Sequence, residues 1–410
     1  MAGFDLTAAS AYLKQFYGSA RVESLVLKSA LQLVLPKDKS LEGEVFVHPV
    51  QHTTGAGVSA DDAVAFAYTG SAQAKKWIIT PTYLYAERQI RGEVIEQTKS
   101  SKGAFEQGVK VTTDAVYGAF GEVFSAMLWG SGSGTIGQVA SFSGTECVLT
   151  NPEDTIKFKE GQLLQASETD GGGSVRDAGD YVTLTKVDYD TGTLTASSNW
   201  SGISGFAIGD FLVERGNYDA VFKGIPAWFP TYASRQAGVL STSFLNVDRT
   251  VNPVRLAGHA MNATTSSKRT ALERLGMKIA AFDQAPTHCF MSFTDYADLL
   301  EELSSNVQYT FTDLNSKTAQ VSFTSVKLAM SFGVITITPE KWCPVGNAWM
   351  LHMPSIKFYS IGDYPRVQMH DGLTLLRMEA ANAYKYRITG GGILYGGLAP
   401  WRSGVVTFAT

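Results

Sequence analysis

Three short stretches carry residue types that could bind a cofactor or a metal ion or act as a nucleophile. The first, Gly132-Ser-Gly134-Thr-Ile-Gly137, matches the GxGxxG pattern. That pattern cradles a dinucleotide pyrophosphate when it joins a strand to a helix within a β-α-β unit. Here it follows a predicted helix, and no β-α-β unit surrounds it. We therefore interpret it as a flexible Gly-Ser hinge and predict no dinucleotide site.

The other two stretches contain histidine. His48 and His52 are four residues apart, but no third ligand is evident, and zinc sites in proteins use three or four protein ligands. His288 stands beside Cys289, a pair that could indicate a thiol nucleophile. Neighbours on a strand point to opposite faces, so we predict a buried thiol and a surface ring there. We predict no metal site from these residues.

No GxSxG, HExxH, P-loop or EF-hand pattern occurs in the chain. Some of the 38 carboxylates must lie close together in space, but the sequence cannot select a catalytic pair among them. We therefore predict no catalytic residue, no cofactor and no enzymatic activity. Information about function has to come from the order of the structural elements instead.

The composition is that of a large, folded protein. Hydrophobic residues make up 44% of the 410 residues and charged residues 18%, which excludes wholesale disorder. A net charge of −4 argues against a dedicated nucleic-acid binder. The three cysteines include no CxxC pair, which favours reduced thiols. Neither a signal peptide at the start nor an apolar run of about 20 residues is evident, so we expect a soluble, intracellular protein without membrane contact.

The first hundred residues predict an arm followed by an extended ribbon. Residues 1–40 predict a helical arm, in which apolar residues recur with helical spacing until Pro36 ends the run. Strand fragments follow at Glu44–Val47 and Trp77–Ile79, and a charged return segment runs from Thr82 to Gln97. A two-stranded ribbon with so few apolar residues is marginal alone in water, so we expect it to lie on another surface.

A long helix is predicted from Ser101 to Trp129. Its apolar residues recur at steps of three or four, close to the 3.6-residue helical period. We interpret this stripe as packing core without any cofactor, and it comprises Phe105, Val109, Val116, Phe120 and Val123, with Met127 at its end.

Residues 135–222 differ in composition from the rest of the chain. They contain 13 acidic and five basic residues, so their net charge is −8 by count and that of the remainder is +4. Tyr181–Thr185 alternates as a strand does, and Asp190-Thr-Gly192 predicts a turn. The segment predicts a small inserted β-barrel or β-sandwich.

After Pro226 the pattern alternates between helices and strands. Leu272, Leu275, Ile279 and Phe282 predict one helical face. Ser292 or Thr294 is expected to cap a second helix. Further predicted strands are His288–Met291, Val334–Thr338, Ala348–Leu351, Ile356–Tyr359 and Tyr384–Ile388, the last with Lys385 and Arg387 on one face.

The order of these parts resembles the major capsid protein of tailed bacteriophages, of the Hong Kong 97 type. The most specific stretch is Trp77 to Trp129, where the ribbon returns into the long helix. The resemblance implies an α+β fold in which that helix is the spine of a peripheral domain and an axial domain follows. It divides the chain into an N-terminal arm (1–43), an extended loop (44–99), the spine helix (100–134), an inserted β domain (135–222), a return to the peripheral domain (223–262), an axial domain (263–362) and C-terminal strands (363–410).

The resemblance also implies a function. Pentamers and hexamers would assemble in the host cytoplasm into an icosahedral virion shell around double-stranded DNA, held by weak non-specific contacts. A scaffolding protein, a portal and decoration proteins would be further partners. An encapsulin-like nanocompartment and a hydrolase with an inserted β domain stay open as alternatives. On the ribbon we expect intersubunit ion pairs, with a solvated charged face as the alternative, from Lys75, Lys76, Glu87, Arg88, Arg91, Glu93 and Glu96.

Overall fold

A computed structural model describes residues 29–53, 58–67, 73–91, 116–304, 311–313, 324–369, 375–378 and 382–409. Most of the predicted arm and the first half of the predicted spine helix lie outside the described residues. The predicted site residues Glu93, Glu96, Phe105 and Val109 therefore lie outside them as well.

The end of the arm packs into a hydrophobic cluster that also contains residues from the middle and the end of the chain, which we call the main core. Ser29 caps helix α1, Ala30–Val34, by accepting a hydrogen bond from the Gln32 amide. Strand β1, Lys37–Asp38, then pairs in parallel with residues 357–360. Leu31 and Leu35 are buried among residues from the middle and the end of the chain. The arm therefore begins to pack on its own chain by residue 29.

The predicted ribbon and its return segment belong to different sheets. Strand β2 is Phe46–Thr53, helix α2 is Asp62–Ala67, strand β3 is Gln73–Ile79 and strand β4 is Thr82–Arg91. Strands β2 and β3 form an antiparallel ribbon, whereas β4 leaves it and pairs with residues 383–392.

The ribbon lies on another surface as expected, but the surface that its described residues contact belongs to the same chain. Val50, Trp77 and Ile79 are buried in the main core of the same chain. The reason is the alternation of a strand, which turns these three side chains inward. Exposed apolar side chains nevertheless remain on this part of the chain, at Val47, Val58 and Val64.

Residues 116–128 form helix α3, the described part of the spine helix. Trp129 follows in a turn, and the chain then enters the acidic segment. This segment folds into six strands: β5, Thr135–Ser143; β6, Glu146–Leu149; β7, Leu163–Ser167; β8, Val182–Asp188; β9, Thr193–Ala196; and β10, Phe211–Glu214. The strands close in the order β10-β5-β6-β9-β8-β7. The predicted small β domain is therefore a barrel, which we call the barrel below.

The Gly-Ser segment that the sequence predicts as a hinge connects α3 to the barrel in a defined backbone conformation. Gly132 and Gly134 have φ angles of +90° and +82°, which glycine adopts without strain. The hydroxyls of Ser133 and Thr135 both donate to Asp170 Oδ1, at 2.5 Å each. The Asp219 amide donates to the Ser133 carbonyl at 2.8 Å. The bond from Asp219 ties the end of the barrel segment to its beginning, and the bonds to Asp170 tie its beginning to the loop between β7 and β8.

The last part of the chain adds helices and two sheets. Its elements are α4, Ile225–Trp228; α5, Tyr232–Gln236; α6, Pro253–Ala257; β11, His259–Asn262; α7, Lys268–Ala280; β12, His288–Met291; α8, Phe293–Ser304; β13, Phe311–Asp313; β14, Thr324–Met330; β15, Gly333–Pro339; β16, Asn347–Leu351; β17, Lys357–Ser360; β18, Arg366–Val367; β19, Leu375–Arg377; β20, Ala383–Tyr395; and β21, Gly404–Thr407.

A seven-stranded sheet runs in the order β11-β21-β16-β12-β15-β14-β13, and helix α7 packs on it with Leu272, Leu275 and Ile279 buried as predicted. The prediction for Phe282 is wrong because α7 ends at Ala280, which leaves the Phe282 side chain 62% exposed. Of the two predicted caps of α8 the structure uses Ser292, whose Oγ accepts from the Asp295 amide at 3.1 Å.

A six-stranded sheet is built around β20. Strand β4 pairs along one edge of β20, while β17, β18 and β19 pair with it elsewhere and β1 joins through β17. The main hydrophobic core lies beside this sheet and combines residues from Ala30 to Val405, including Trp77, Phe124 and Phe358. This core joins the arm, the ribbon, the spine helix and the C-terminal strands into one unit.

Candidate functional site

The predicted contact residues that the structure describes lie on β3 and β4, which follow one another in the chain but belong to different sheets. Lys75 and Lys76 are exposed on β3, opposite Val50 and Pro49 of the ribbon. Arg88 is exposed on β4. These three side chains are accessible, and their intersubunit role stays a prediction.

Strand β4 has two different faces. Leu84 and Ala86 pack toward α3, in a cluster with Val116 and Phe120. Because side chains alternate along a strand, Tyr83, Tyr85 and Glu87 stand on the other face. That face of β4 and the matching face of β20 form what we call the open face of the six-stranded sheet.

Glu87 lies at the middle of the open face and is paired within its own chain. Its carboxylate contacts Lys385 Nζ at 2.8 Å and Arg387 Nη2 at 2.7 Å. Hydrogen bonds from Lys385 and Arg387 hold the pKa of Glu87 below its usual value. The predicted placement of Lys385 and Arg387 on one face of their strand is confirmed, since Tyr386 and Ile388 are buried on the other.

Beside this ion pair, the open face carries aromatic side chains that sequence reasoning missed. The rings of Tyr83 and Tyr85 are 6.4 Å apart and nearly parallel, and Tyr85 is 68% exposed. They line a groove of about 520 Å³ with Arg366, Val367, Gln368, Met369 and Thr389. The alternation of Tyr83, Leu84 and Tyr85 indicates that the two tyrosines share one face of a strand. It does not indicate which of the two faces other elements of the chain cover.

The spine helix packs on the opposite face of the same sheet. Val116 and Phe120 are buried, Val123 is partly buried, and Phe124, which the predicted stripe omitted, is almost fully buried. The Phe124 ring contacts those of Phe222, Phe358 and Tyr364 with centroids 5.0–5.6 Å apart. The stripe is therefore wider than the predicted one, because α3 contributes to two hydrophobic clusters, the main core and the cluster around Val116 and Phe120.

A cleft of about 260 Å³ separates α3 from the barrel. Glu122, whose side chain is 5% exposed, forms an ion pair across it with the half-exposed Lys159 of the barrel. Burial lowers the pKa of Lys159 and raises the pKa of the nearby Glu214 carboxyl. The ion pair between Glu122 and Lys159 thus connects α3 to the barrel across the cleft, and both charges are partly removed from water.

The residues first considered for chemistry occupy structural positions. Cys289 is fully buried, and burial raises the pKa of its thiol, which keeps it protonated. The His288 ring is half-buried beside Thr287, so the predicted surface position is only partly correct. Gly137 lies within strand β5 of the barrel.

Within the described ranges, no group of three or more acidic, histidine or cysteine side chains could hold a metal ion. None of the helices in those ranges is long and apolar enough to span a membrane.

No protein-family model matches the chain, and no curated protein matches its sequence. Solved structures match its fold over nearly its whole length. The "Cyanophage A-1(L) capsid asymmetric unit" aligns with 99% of this chain and 100% of its own, at 11% identity and a TM-score of 0.57.

Two further matches have lower TM-scores. The capsid of an empty GTA particle reaches 0.47 at 10% identity and covers all of both chains. The SrpI encapsulin of Synechococcus elongatus reaches 0.48 at 9% identity, covering 99% of this chain and 96% of its own. The cyanophage match confirms the predicted fold class, whereas the placement of the barrel as an insertion and the domain boundaries stay predictions. The chain therefore has the α+β fold of this cyanophage capsid protein, the Hong Kong 97-type fold.

Proposed function

We propose that this protein is the major capsid protein of a tailed bacteriophage. Its pentamers and hexamers would form an icosahedral head shell around double-stranded DNA. The observation that carries the proposal is the fold match to the cyanophage capsid over both full chains. Further support comes from the open face, where two exposed tyrosines line a groove that a neighbouring subunit could cover.

The distribution of charge supports a position for the barrel on the outside of the shell. Its segment carries a net charge of −8, and the remainder of the chain carries +4. Like charges repel within the roughly 8–10 Å over which salt leaves them unscreened, so the barrel is disfavoured beside packaged phosphates. The mildly basic remainder fits weak, non-specific contact with DNA. Outside, the barrel could contact neighbouring capsomers or decoration proteins.

Electron microscopy of the purified protein, combined with a nuclease-protection assay on particles from infected cells, tests the proposal. We expect closed shells and DNA that the shell protects. Shells that take up a cargo protein instead of DNA would favour the encapsulin-like alternative. A stable monomer that hydrolyses ester or glycan substrates would contradict the shell function altogether.

Reversing the charge of Arg88 and Arg91 to glutamate should reduce shell yield and leave the subunit folded. The subunit should fold because Arg88 is exposed on β4, so that the change adds no buried charge at that position. Shell yield should fall because symmetry repeats the loss of each weak intersubunit ion pair at every contact in the shell. Yield is measured by sedimentation and folding by circular dichroism. The matched control replaces both residues with lysine, which keeps the charge and should assemble normally. Equal yields for the two variants would refute the role of this strand.

Deleting the barrel should leave a chain that still forms shells of lower stability. The chain enters and leaves the barrel side by side, since Gly134 lies against Asn217, so a short Gly-Ser linker can replace it. The deletion should end at residue 219, because Val221 and Phe222 belong to the main core. A second deletion that also removes residues 220–222 is the control, and we expect it to lower the yield of folded protein sharply. Unfolding of both deletions would contradict the barrel as a separable module.

A further inference from the structure

Strand β4 forms a free edge of the six-stranded sheet. Within the described ranges it pairs only with β20, over the ten residues Thr82–Arg91. Natural edge strands are usually kept from pairing with other chains by proline, a bulge, short length or charged side chains. Strand β4 contains neither Pro nor Gly, and its register with β20 has no shift, so of these devices it has only the charged side chains. Its free edge is therefore long and regular enough to accept another strand.

The hydrogen bonds of β20 show which main-chain groups of β4 point to the free edge. On the side of β20 away from β4, the Arg387 carbonyl accepts from the Gln368 amide at 2.9 Å, and the Gly391 carbonyl accepts from the Ile361 amide at 3.0 Å. Because these groups alternate along a strand, the even-numbered residues of β20 point to β4, where they lie opposite even-numbered partners. The amides and carbonyls that point to the free edge therefore belong to Tyr83, Tyr85, Glu87 and Gln89.

These four residues are accessible from solvent. Tyr83 is 46% exposed, and Glu87 and Gln89 are exposed as well. Among the described residues, no main-chain hydrogen bond joins any of the four to a segment other than β20. Helix α3 packs on one face of the sheet and leaves this edge uncovered. A row of alternating donors and acceptors of this kind binds an extended strand through main-chain hydrogen bonds.

The sequence of β4 restricts how it can pair with a second copy of itself. In an antiparallel pair, odd-numbered residues must lie opposite odd-numbered ones, because these carry the edge-facing groups. Registers centred on Glu87 or on Arg88 place two like charges directly opposite each other, which is destabilising. A register centred on Tyr85 places Gln89 opposite Pro81, which has no amide to donate. Registers centred after Arg88 leave part of the edge without a partner in β4.

The register centred on Ala86 avoids all of these conflicts. We propose that the free edge of β4 pairs antiparallel with β4 of a second copy of this chain, about a twofold axis at Ala86. Tyr83 then lies opposite Gln89 of the second copy, and Tyr85 lies opposite Glu87. The four odd-numbered pairs exchange about eight main-chain hydrogen bonds and join two six-stranded sheets into one. The inference needs only two copies of the chain, so it does not depend on the proposed function.

A disulfide at Ala86→Cys tests this pairing. Even-numbered residues form the pairs without hydrogen bonds, whose Cα atoms are about 4.5 Å apart, and a disulfide spans that distance. We expect oxidation with diamide to link most chains into dimers, measured by denaturing electrophoresis without reductant. The three native cysteines are buried, and N-ethylmaleimide present during denaturation keeps them from forming new disulfides.

Arg88→Cys is the matched control on the same strand and the same face. In the proposed register the two copies of residue 88 are four positions apart, or roughly 13 Å along the strands. We therefore expect about tenfold less dimer than for Ala86→Cys. Equal linking in the two variants would overturn the register. Closed shells of Ala86→Cys chains that do not link would overturn the pairing and leave the proposed function intact.

Gln89→Pro, introduced into the Ala86→Cys chain, tests the main-chain hydrogen bonds. An edge strand accepts proline where the lost amide faces outward, so the chain should fold, as circular dichroism can check. The change removes one hydrogen bond from each copy, and we expect about tenfold less dimer. Gln89→Thr keeps the amide and should link normally.

Hydrogen exchange repeats this test on the native chain without proline. Exchange of the Tyr85 and Gln89 amides should slow as the chain is concentrated, because pairing removes both amides from water. The amide of Ala86 points to β20 and should exchange at a rate that depends much less on concentration. Undiminished linking in folded Gln89→Pro chains, or exchange at Tyr85 and Gln89 that is independent of concentration, would overturn the proposal.

Discussion

Phe120→Asp should yield almost no folded, soluble protein. The Phe120 side chain is 4% exposed and packs between Val116, Tyr386 and Ile388, with its ring centroid 5.4 Å from that of Tyr364. These neighbours offer no cation to an aspartate, and an unpaired buried charge costs several kcal/mol. The soluble fraction after expression and the thermal unfolding of any recovered chain are the measurements.

Tyr117→Asp is the matched control on the same turn of the spine helix. Tyr117 is partly exposed, so the same new charge stays in water and should leave the soluble fraction nearly unchanged. Phe120→Leu is a second comparison that keeps the site apolar and should cost much less than the aspartate. Soluble Phe120→Asp protein that still assembles would mean that this face of the helix is not core.

Glu340→Ala should lower the free energy of unfolding by about 3 kcal/mol. Glu340 is fully buried and holds the beginning of α1 in place. Its Oε2 accepts from Ser29 Oγ at 2.8 Å and from the Leu31 amide at 3.0 Å. Alanine removes the acceptor of both donors in a buried site, and each lost partner costs about 1–3 kcal/mol. Urea unfolding of the unassembled chain measures the effect.

Glu340→Gln separates the hydrogen bonds from the charge. Its amide oxygen can still accept from Ser29 and Leu31, so we expect less than half of the loss caused by alanine. Burial raises the pKa of Glu340, which means that the folded state binds this proton more tightly than the unfolded state. The native chain therefore loses stability as the pH rises above the usual carboxyl pKa of about 4.5, and the free energy of unfolding of Glu340→Gln should increase relative to that of the native chain over this rise. Equal losses for alanine and glutamine would contradict the capping role.

Sequence patterns predicted elements well where neighbours in the chain determine them. Strand β12, the helix after it and its Ser292 cap follow from local alternation and hydrogen-bonding chemistry. Compositional change alone located the acidic segment that forms the barrel. The predicted buried face of α7 is correct as far as Ile279 and wrong at Phe282, because the periodicity of apolar residues does not show where a helix ends.

Pairing between distant segments could not be predicted. Strand β4 has the alternation of a strand, but its partner β20 lies about 300 residues later in the chain. For the same reason the sequence could not show that Glu87 meets Lys385 and Arg387. The ribbon seemed to lack core residues because Trp77 and Ile79 reach a core that residues from the far end of the chain help to build.

The composition of the main core has a consequence for synthesis on the ribosome. It contains Leu31 and Trp77 as well as Leu394 and Val405, so it cannot close until residue 405 has left the ribosome. The barrel, by contrast, uses only residues 136–212 and can fold as soon as that segment has emerged. Contacts of such long range form slowly. While about 190 further residues are translated, Leu31 and Trp77 therefore lack their partners in the main core, and the barrel segment beside them, with a net charge of −8, can already be folded.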